Sequence, residues 1–150
     1  MKIFVGADHR GFQLKKNVDE ILKVLGHDVV DMGTHVEGVD CDYPQISLKV
    51  ALEVVRNPGR RGILLCMTGI GHSIAANKVP GVYAALVYNT QAAMLSRQHN
   101  DSNILVLGSK FMDHANIGEI IKIWLSTEFE GGRHLRRKEQ IQAIEREFSK

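Results

Sequence analysis

The chain has 150 residues, a formal net charge of +2 at neutral pH and 44% hydrophobic residues. This is the size of one domain, spanning residues 1–150, that buries its own core, and the charge is too mild to point to nucleic acid. No apolar leader precedes the first predicted strand and no apolar run is long enough to cross a bilayer, so a cytoplasmic protein with no membrane or nucleic-acid partner is expected. Its two cysteines, Cys41 and Cys66, make no disulfide framework, and a reducing compartment suits a free thiol.

The chain opens with a short apolar strand, Lys2 to Ala7, and a turn, Asp8-His9-Arg10-Gly11. Leu14, Val18, Ile21, Leu22 and Leu25 then repeat at helical spacing until Gly26. Val29 and Val30 form a second strand and residues 32–41 a polar loop. Asp42-Tyr43-Pro44 reads as an N-cap followed by a proline in the first helical turn. Ile46, Val50, Ala51 and Val54 give that helix its inward face, and Asn57-Pro58-Gly59 ends it.

Residues 62–78 form the centre of the chain, a buried strand running into a tight glycine turn and a helix. Ile63-Leu64-Leu65 is an unbroken apolar run, the pattern of a strand covered on both faces. Cys66 falls at its carboxyl end, the edge at which open α/β sheets bind ligands. Gly69 and Gly71 let backbone N–H groups turn toward an anion, and the helix that starts near Gly71 adds its positive end, which favours a thiolate. Two readings of Cys66 stand at this point: a base or nucleophile, and a small buried hydrophobe. Familiar anion loops do not fit. Gly69-Ile70-Gly71-His72-Ser73-Ile74 lacks the third glycine of the dinucleotide fingerprint, and Ala75-Ala76-Asn77-Lys78 lacks the Gly-Lys-Ser/Thr of a P-loop. A cysteine-phosphatase loop, Cys-x5-Arg, needs arginine where His72 stands.

Val82 to Val87 are predicted as a fourth buried strand. Thr90 opens a helix carrying Ala93, Met94 and the polar group Arg97-Gln98-His99-Asn100, and Ile104 to Leu107 form a fifth strand closed by Gly108. Ile117, Ile120, Ile121, Trp124 and Leu125 mark another amphipathic helix. Glu130-Gly131-Gly132 precedes a last helix, with Arg133, Arg136, Arg137 and Lys138 on one face and Ile141, Ile144 and Phe148 on another. The alternation predicts an α/β fold: a doubly wound, Rossmann-like, five-stranded parallel sheet with helices on both faces and a C-terminal helix. Such a sheet carries Asp8 and His9, Cys66 and Thr68, Asn89, and Lys110 to one rim. The arginines suit phosphate by their forked donors, and a solvated charged face is the alternative.

Asp8-His9, Asp42-Tyr43-Pro44, Thr68 to Gly71, Ser73 to Lys78, Ser96 to Asp101 and Glu130 to His134, taken together and in order, resemble the ribose-5-phosphate isomerase type B family. That family also includes allose-6-phosphate and galactose-6-phosphate isomerases. The likeness runs from Met1 to about Glu145. It implies interconversion of an aldose and a ketose phosphate through an enediol, with no metal and no organic cofactor. It also implies roles: Cys66 as the base between two carbons, His99 as the acid and base that opens the sugar ring, and the backbone from Thr68 through Gly69 and Ile70 to Gly71 as the holder of enediolate oxygens. His9, Arg133 and Arg137 are implied to grip the phosphate, Asp8 and Asn100 to bind sugar oxygens, and Tyr43 to line the pocket. The family implies a homodimer or homotetramer whose site draws on two subunits. The Ser96 to Asp101 motif with His99 favours a pentose phosphate over galactose 6-phosphate, and allose 6-phosphate stands as the alternative.

Four positions depart from the family pattern. Met67 replaces a glycine beside the anion pocket, Lys110 replaces a phosphate-binding arginine, and Arg10 follows the Asp-His pair where a small or apolar residue is common. His72 fills the place where a branch lacking the cysteine carries a glutamate base. Cys66 is therefore expected as base, with His72 tuning it or relaying its proton. A cysteine-dependent phosphate hydrolase and a non-catalytic sugar-phosphate sensor are the competing classes.

Overall fold

Five parallel strands form one sheet in the order β2-β1-β3-β5-β4, with β1 Lys2–Ala7, β2 Asp28–Asp31, β3 Arg61–Cys66, β4 Ala84–Leu86 and β5 Ile104–Gly108. The structure, a computed structural model, describes residues 1–149. The helices are α1 Phe12–Val24, α2 Tyr43–Arg56, α3 Ile70–Ala76, α4 Thr90–Asn100, α5 Ile117–Ser126 and α6 Arg133–Phe148. This is the doubly wound α/β sheet that the alternation predicts.

Successive strand residues face opposite sides, so β3 feeds two cores at once. Ile63 and Leu65 pack with apolar residues of α1, α4 and α5, whereas Leu64 packs with those of α2 and α3. The placement follows from the strand order. The step from β1 to β2 runs one way along the sheet and the steps to β3 and β4 run the other, so crossovers of one hand put α1 on one face and α2 and α3 on the other. β1 and β3 are neighbours whose chains leave toward opposite faces, into α1 and α3. A crevice opens between their carboxyl ends, the position at which such sheets bind ligands.

The edges of the fold differ from the sequence reading. β4 is an edge strand paired only with β5, so its ladder covers residues 84–86 and all three are half-buried. Val82 and Val87 are buried at either end, but Val82 belongs to a turn in which its N–H bonds the carbonyl of Val79. Asp42 occupies the N-cap of α2 without bonding through its side chain. α6 lies against α4 and leaves Ile141, Ile144 and Phe148 at 43%, 58% and 75% exposure. Among the described residues no helix is long and apolar enough to cross a membrane.

Candidate active site

The crevice is walled on the β1 side by Asp8 and His9. The Asp8 carboxylate is buried and accepts the backbone N–H groups of Arg10 and Gly11, both at 3.0 Å, which starts the turn into α1. His9 Nδ1 accepts the backbone N–H of Cys41 at 3.2 Å, and its Nε2 lies 3.4 Å from Asp40. Arg10 reaches across the crevice, Nη1 to Met67 Sδ at 3.8 Å, and the backbone N–H of Lys110 bonds the Met67 carbonyl at 2.9 Å. Arg10, Met67 and Lys110, the three departures on this side, are therefore spatial neighbours. Met67 turns its side chain to Arg10.

The β3 side holds the thiol. Cys66 is 7% exposed, and its sulfur accepts the backbone N–H of Gly69 at 3.0 Å. Gly69 stands at φ 82°, the left-handed region, and a Cβ there would lie 2.4 Å from Leu86. A Cβ on Gly71 would strike the Tyr43 ring at 2.6 Å, so Tyr43 closes over the turn. The Thr68 hydroxyl accepts the N–H of Ile70 at 3.3 Å, and the Thr68 carbonyl accepts the Tyr88 hydroxyl at 2.8 Å.

The expected favouring of the thiolate does not hold in the free chain. Burial pushes the Cys66 thiol up, with the Asp8 charge adding to it, against the amides of Gly69, Thr68 and His72 that pull it down. α3 has only seven residues, and one short helix end does not outweigh desolvation. His72 is fully buried, and desolvation lowers it to about 4, opposed by Asp8 and the Leu65 carbonyl. It is neutral at physiological pH. Its Nδ1 lies 2.6 Å from Ser47 Oγ.

A second group gathers at the end of α4. The rings of His99 and His134 are stacked, and His134 lies 3.4 Å from Glu130, whose N–H bonds the Gln98 carbonyl. His99, Asn100, His134 and Arg137 line a cavity of about 180 Å³ together with Lys138 and Ile141. Arg133 lies exposed at the first position of α6. Arg97, expected in the polar group, instead turns inward to pair with Asp101 at 2.8 Å, which holds that residue at φ 50° as the C-cap of α4.

The two groups lie on opposite rims of the sheet. α4 leaves the carboxyl end of β4 and delivers the chain to the amino end of β5, so His99 and Asn100 sit below the strands whose upper ends carry Cys66. Charge contacts agree, because Arg61, the first residue of β3, feels Arg97 and Asp101. Six strand residues rise roughly 20 Å. One chain thus brings together Asp8, His9, Tyr43, Cys66 to His72 and Lys110, and keeps His99, Asn100, Arg133 and Arg137 apart from them. His99 lines a cavity formed by one chain, on the rim away from Cys66.

Two residues of these groups escape the sequence reading. Ser47 carries a signal, a hydroxyl on the inward face between Ile46 and Val50, whereas His134 carries none beyond its place in the Glu130 to His134 motif.

A family model described as ribose/galactose isomerase matches residues 3–141. The chain belongs to the ribose/galactose isomerase family. Within that family it is 44% identical over 144 residues to ribose-5-phosphate isomerase B of Escherichia coli, covering 96% of each chain. The structure of ribose-5-phosphate isomerase B from Clostridium thermocellum superposes with a TM-score of 0.95 at 46% identity, over 99% of this chain and 100% of that one. The Mycoplasma genitalium enzyme, solved with bound ribulose 5-phosphate, superposes at 0.93 with 43% identity over 97% of each chain. These two solved relatives thus share this fold.

Proposed function

We propose that this chain is a cytoplasmic isomerase of pentose phosphate metabolism that interconverts ribose 5-phosphate and ribulose 5-phosphate. It works as a homodimer or homotetramer, one isomerase domain per chain, with no metal or organic cofactor. The observation that carries this reading is the split between rims. A thiol with an amide-lined turn and a histidine with guanidinium groups are each half of an isomerase site, and a second copy placed by a two-fold axis joins them. The relative solved with ribulose 5-phosphate supports the substrate.

In this reading His99 of one copy opens the furanose by passing a proton from the anomeric hydroxyl to the ring oxygen. Cys66 of the other copy, as thiolate, removes the proton from C2, and the electron pair forms the enediolate. The amides of Thr68, Gly69, Ile70 and Gly71 stabilise its oxygens. Cys66 then delivers the proton to C1 as the hydroxyl proton passes from O2 to O1, which leaves the carbonyl at C2. His9, Lys110, Arg133 and Arg137 hold the phosphate at the seam, Asp8 and Asn100 bind sugar hydroxyls, and Met67 and Tyr43 form the walls. Forked guanidinium donors suit phosphate, and a tuned thiol suits carbon-to-carbon proton transfer.

A coupled assay offering ribose 5-phosphate, allose 6-phosphate and galactose 6-phosphate side by side tests it. Fastest turnover of the pentose supports the reading. A preference for either hexose, or no turnover at all, defeats it.

A further inference from the structure

His72 is a buried polar side chain of the crevice to which the proposed chemistry gives no task, and its one hydrogen bond bears on its tautomer. The Ser47 hydroxyl has one proton, which it donates to the Tyr43 carbonyl four residues back at 3.0 Å. With that proton on the Tyr43 carbonyl its oxygen is left to accept, and the 2.6 Å contact with His72 is then Nδ1–H to Ser47 Oγ, the tautomer on which the proposal rests. Nε2 is then bare. It is buried and has no hydrogen-bond partner, a state that native structures seldom leave without a use. A ring nitrogen of His72, the Cys66 sulfur and an Asp8 carboxylate oxygen lie within 4.8 Å of one another.

We propose that His72 Nε2 receives the proton of the Cys66 thiol, with Ser47 as the positioning residue that keeps that nitrogen an acceptor. The inference rests on Cys66 being the base of the isomerisation. In the step the S–H bond breaks, its electron pair stays on sulfur, and an N–H bond forms. The thiolate then removes the carbon-bound proton and passes it to the adjacent carbon, after which Nε2 returns its proton to sulfur, so none is gained or lost.

The groups facing His72 are Asp8 from the turn after β1, Cys66 and the Leu65 carbonyl from β3, and Ser47 and Tyr43 from α2. The Asp8 carboxylate stabilises the imidazolium as it forms. At rest burial keeps thiol and imidazole neutral, so His72 acts as a general base and not within a standing ion pair.

Alkylation of Cys66 by iodoacetamide, followed against pH in a Cys41→Ser background, tests this without substrate. General-base assistance gives a rate plateau between about pH 5 and pH 8. His72→Gln removes the plateau, so the rate falls about tenfold per pH unit below the thiol's pKa. Ser47→Ala, which unlocks the tautomer, loses part of it. If His72→Gln does not fold, the parent protein decides, since long-range proton–nitrogen NMR must find His72 protonated at Nδ1. A parent rate that falls tenfold per unit from pH 8 to 5, or a proton on Nε2, overturns the proposal. A failed isomerase assay with the plateau intact defeats the substrate reading alone.

Discussion

The imidazole rings of His99 and His134 stack face to face, their centroids 4.2 Å apart and their planes 11° from parallel. Desolvation, then the neighbouring charges of His99 and Arg133, lower the pKa of His134, while Glu130 raises it. A positive charge on His134 is therefore disfavoured, and its ring packs flat against that of His99.

Replacing His134 by alanine frees the His99 ring. Conversion of ribose 5-phosphate is expected to slow about ten- to a hundredfold. Ribulose 5-phosphate, whose terminal oxygen is phosphorylated, has no furanose to open. Its exchange of carbon-bound hydrogen with deuterated solvent, followed by NMR, stays near the parent rate.

Cys66→Ala removes the proposed carbon base. Both conversion and solvent exchange fall about 10²- to 10⁴-fold with KM little changed, as expected for loss of a group acting in the transition state. Steady-state kinetics in both directions check this, and near-normal exchange ends the assignment.

Arg10 and Lys110 meet the crevice beside Met67, and a charged hydrogen bond to phosphate contributes about 1.5–3 kcal/mol. Arg10→Ala is expected to raise KM about tenfold while kcat holds, with the effect shrinking as salt rises. An unchanged KM at low salt shows that Arg10 serves only to pack on Met67.

The strands and the glycine turn are legible in the sequence because their signals are local. Ile63-Leu64-Leu65 has no polar residue to place outside, and Gly69 stands where the left-handed conformation requires it. The apolar run of residues 82–87 overstates β4, because apolar character does not reveal that a strand lies at the edge with one neighbour. The separation of Cys66 from His99 depends on which end of a strand each residue follows and on the strand order. Motif spacing carries neither. The state of the thiol is hidden for a related reason, since a helix end is visible in sequence and the desolvation that opposes it is not. Ser47 shows a hydroxyl on an apolar face, but only packing reveals that it faces His72.

His72 also makes stability depend on pH. Its pKa is about 4 in the fold against 6.5 when exposed, so the unfolded chain binds a proton that the folded one refuses between those values. Stability is full above pH 6.5 and falls as pH drops toward 4, by about 3 kcal/mol from this group. Denaturant titrations at several pH values check this, with His72→Gln flattening the decline.

The central claim is that Cys66 and His99 act across two copies of the chain. Mixing Cys66→Ala protein with His99→Asn protein and allowing subunits to exchange tests it, because each mixed dimer regains one intact site and loses the other. Random mixing predicts about a quarter of the parent ribose 5-phosphate isomerase activity from two inactive preparations. Continued inactivity, with mixed dimers demonstrated by native mass spectrometry, contradicts the account.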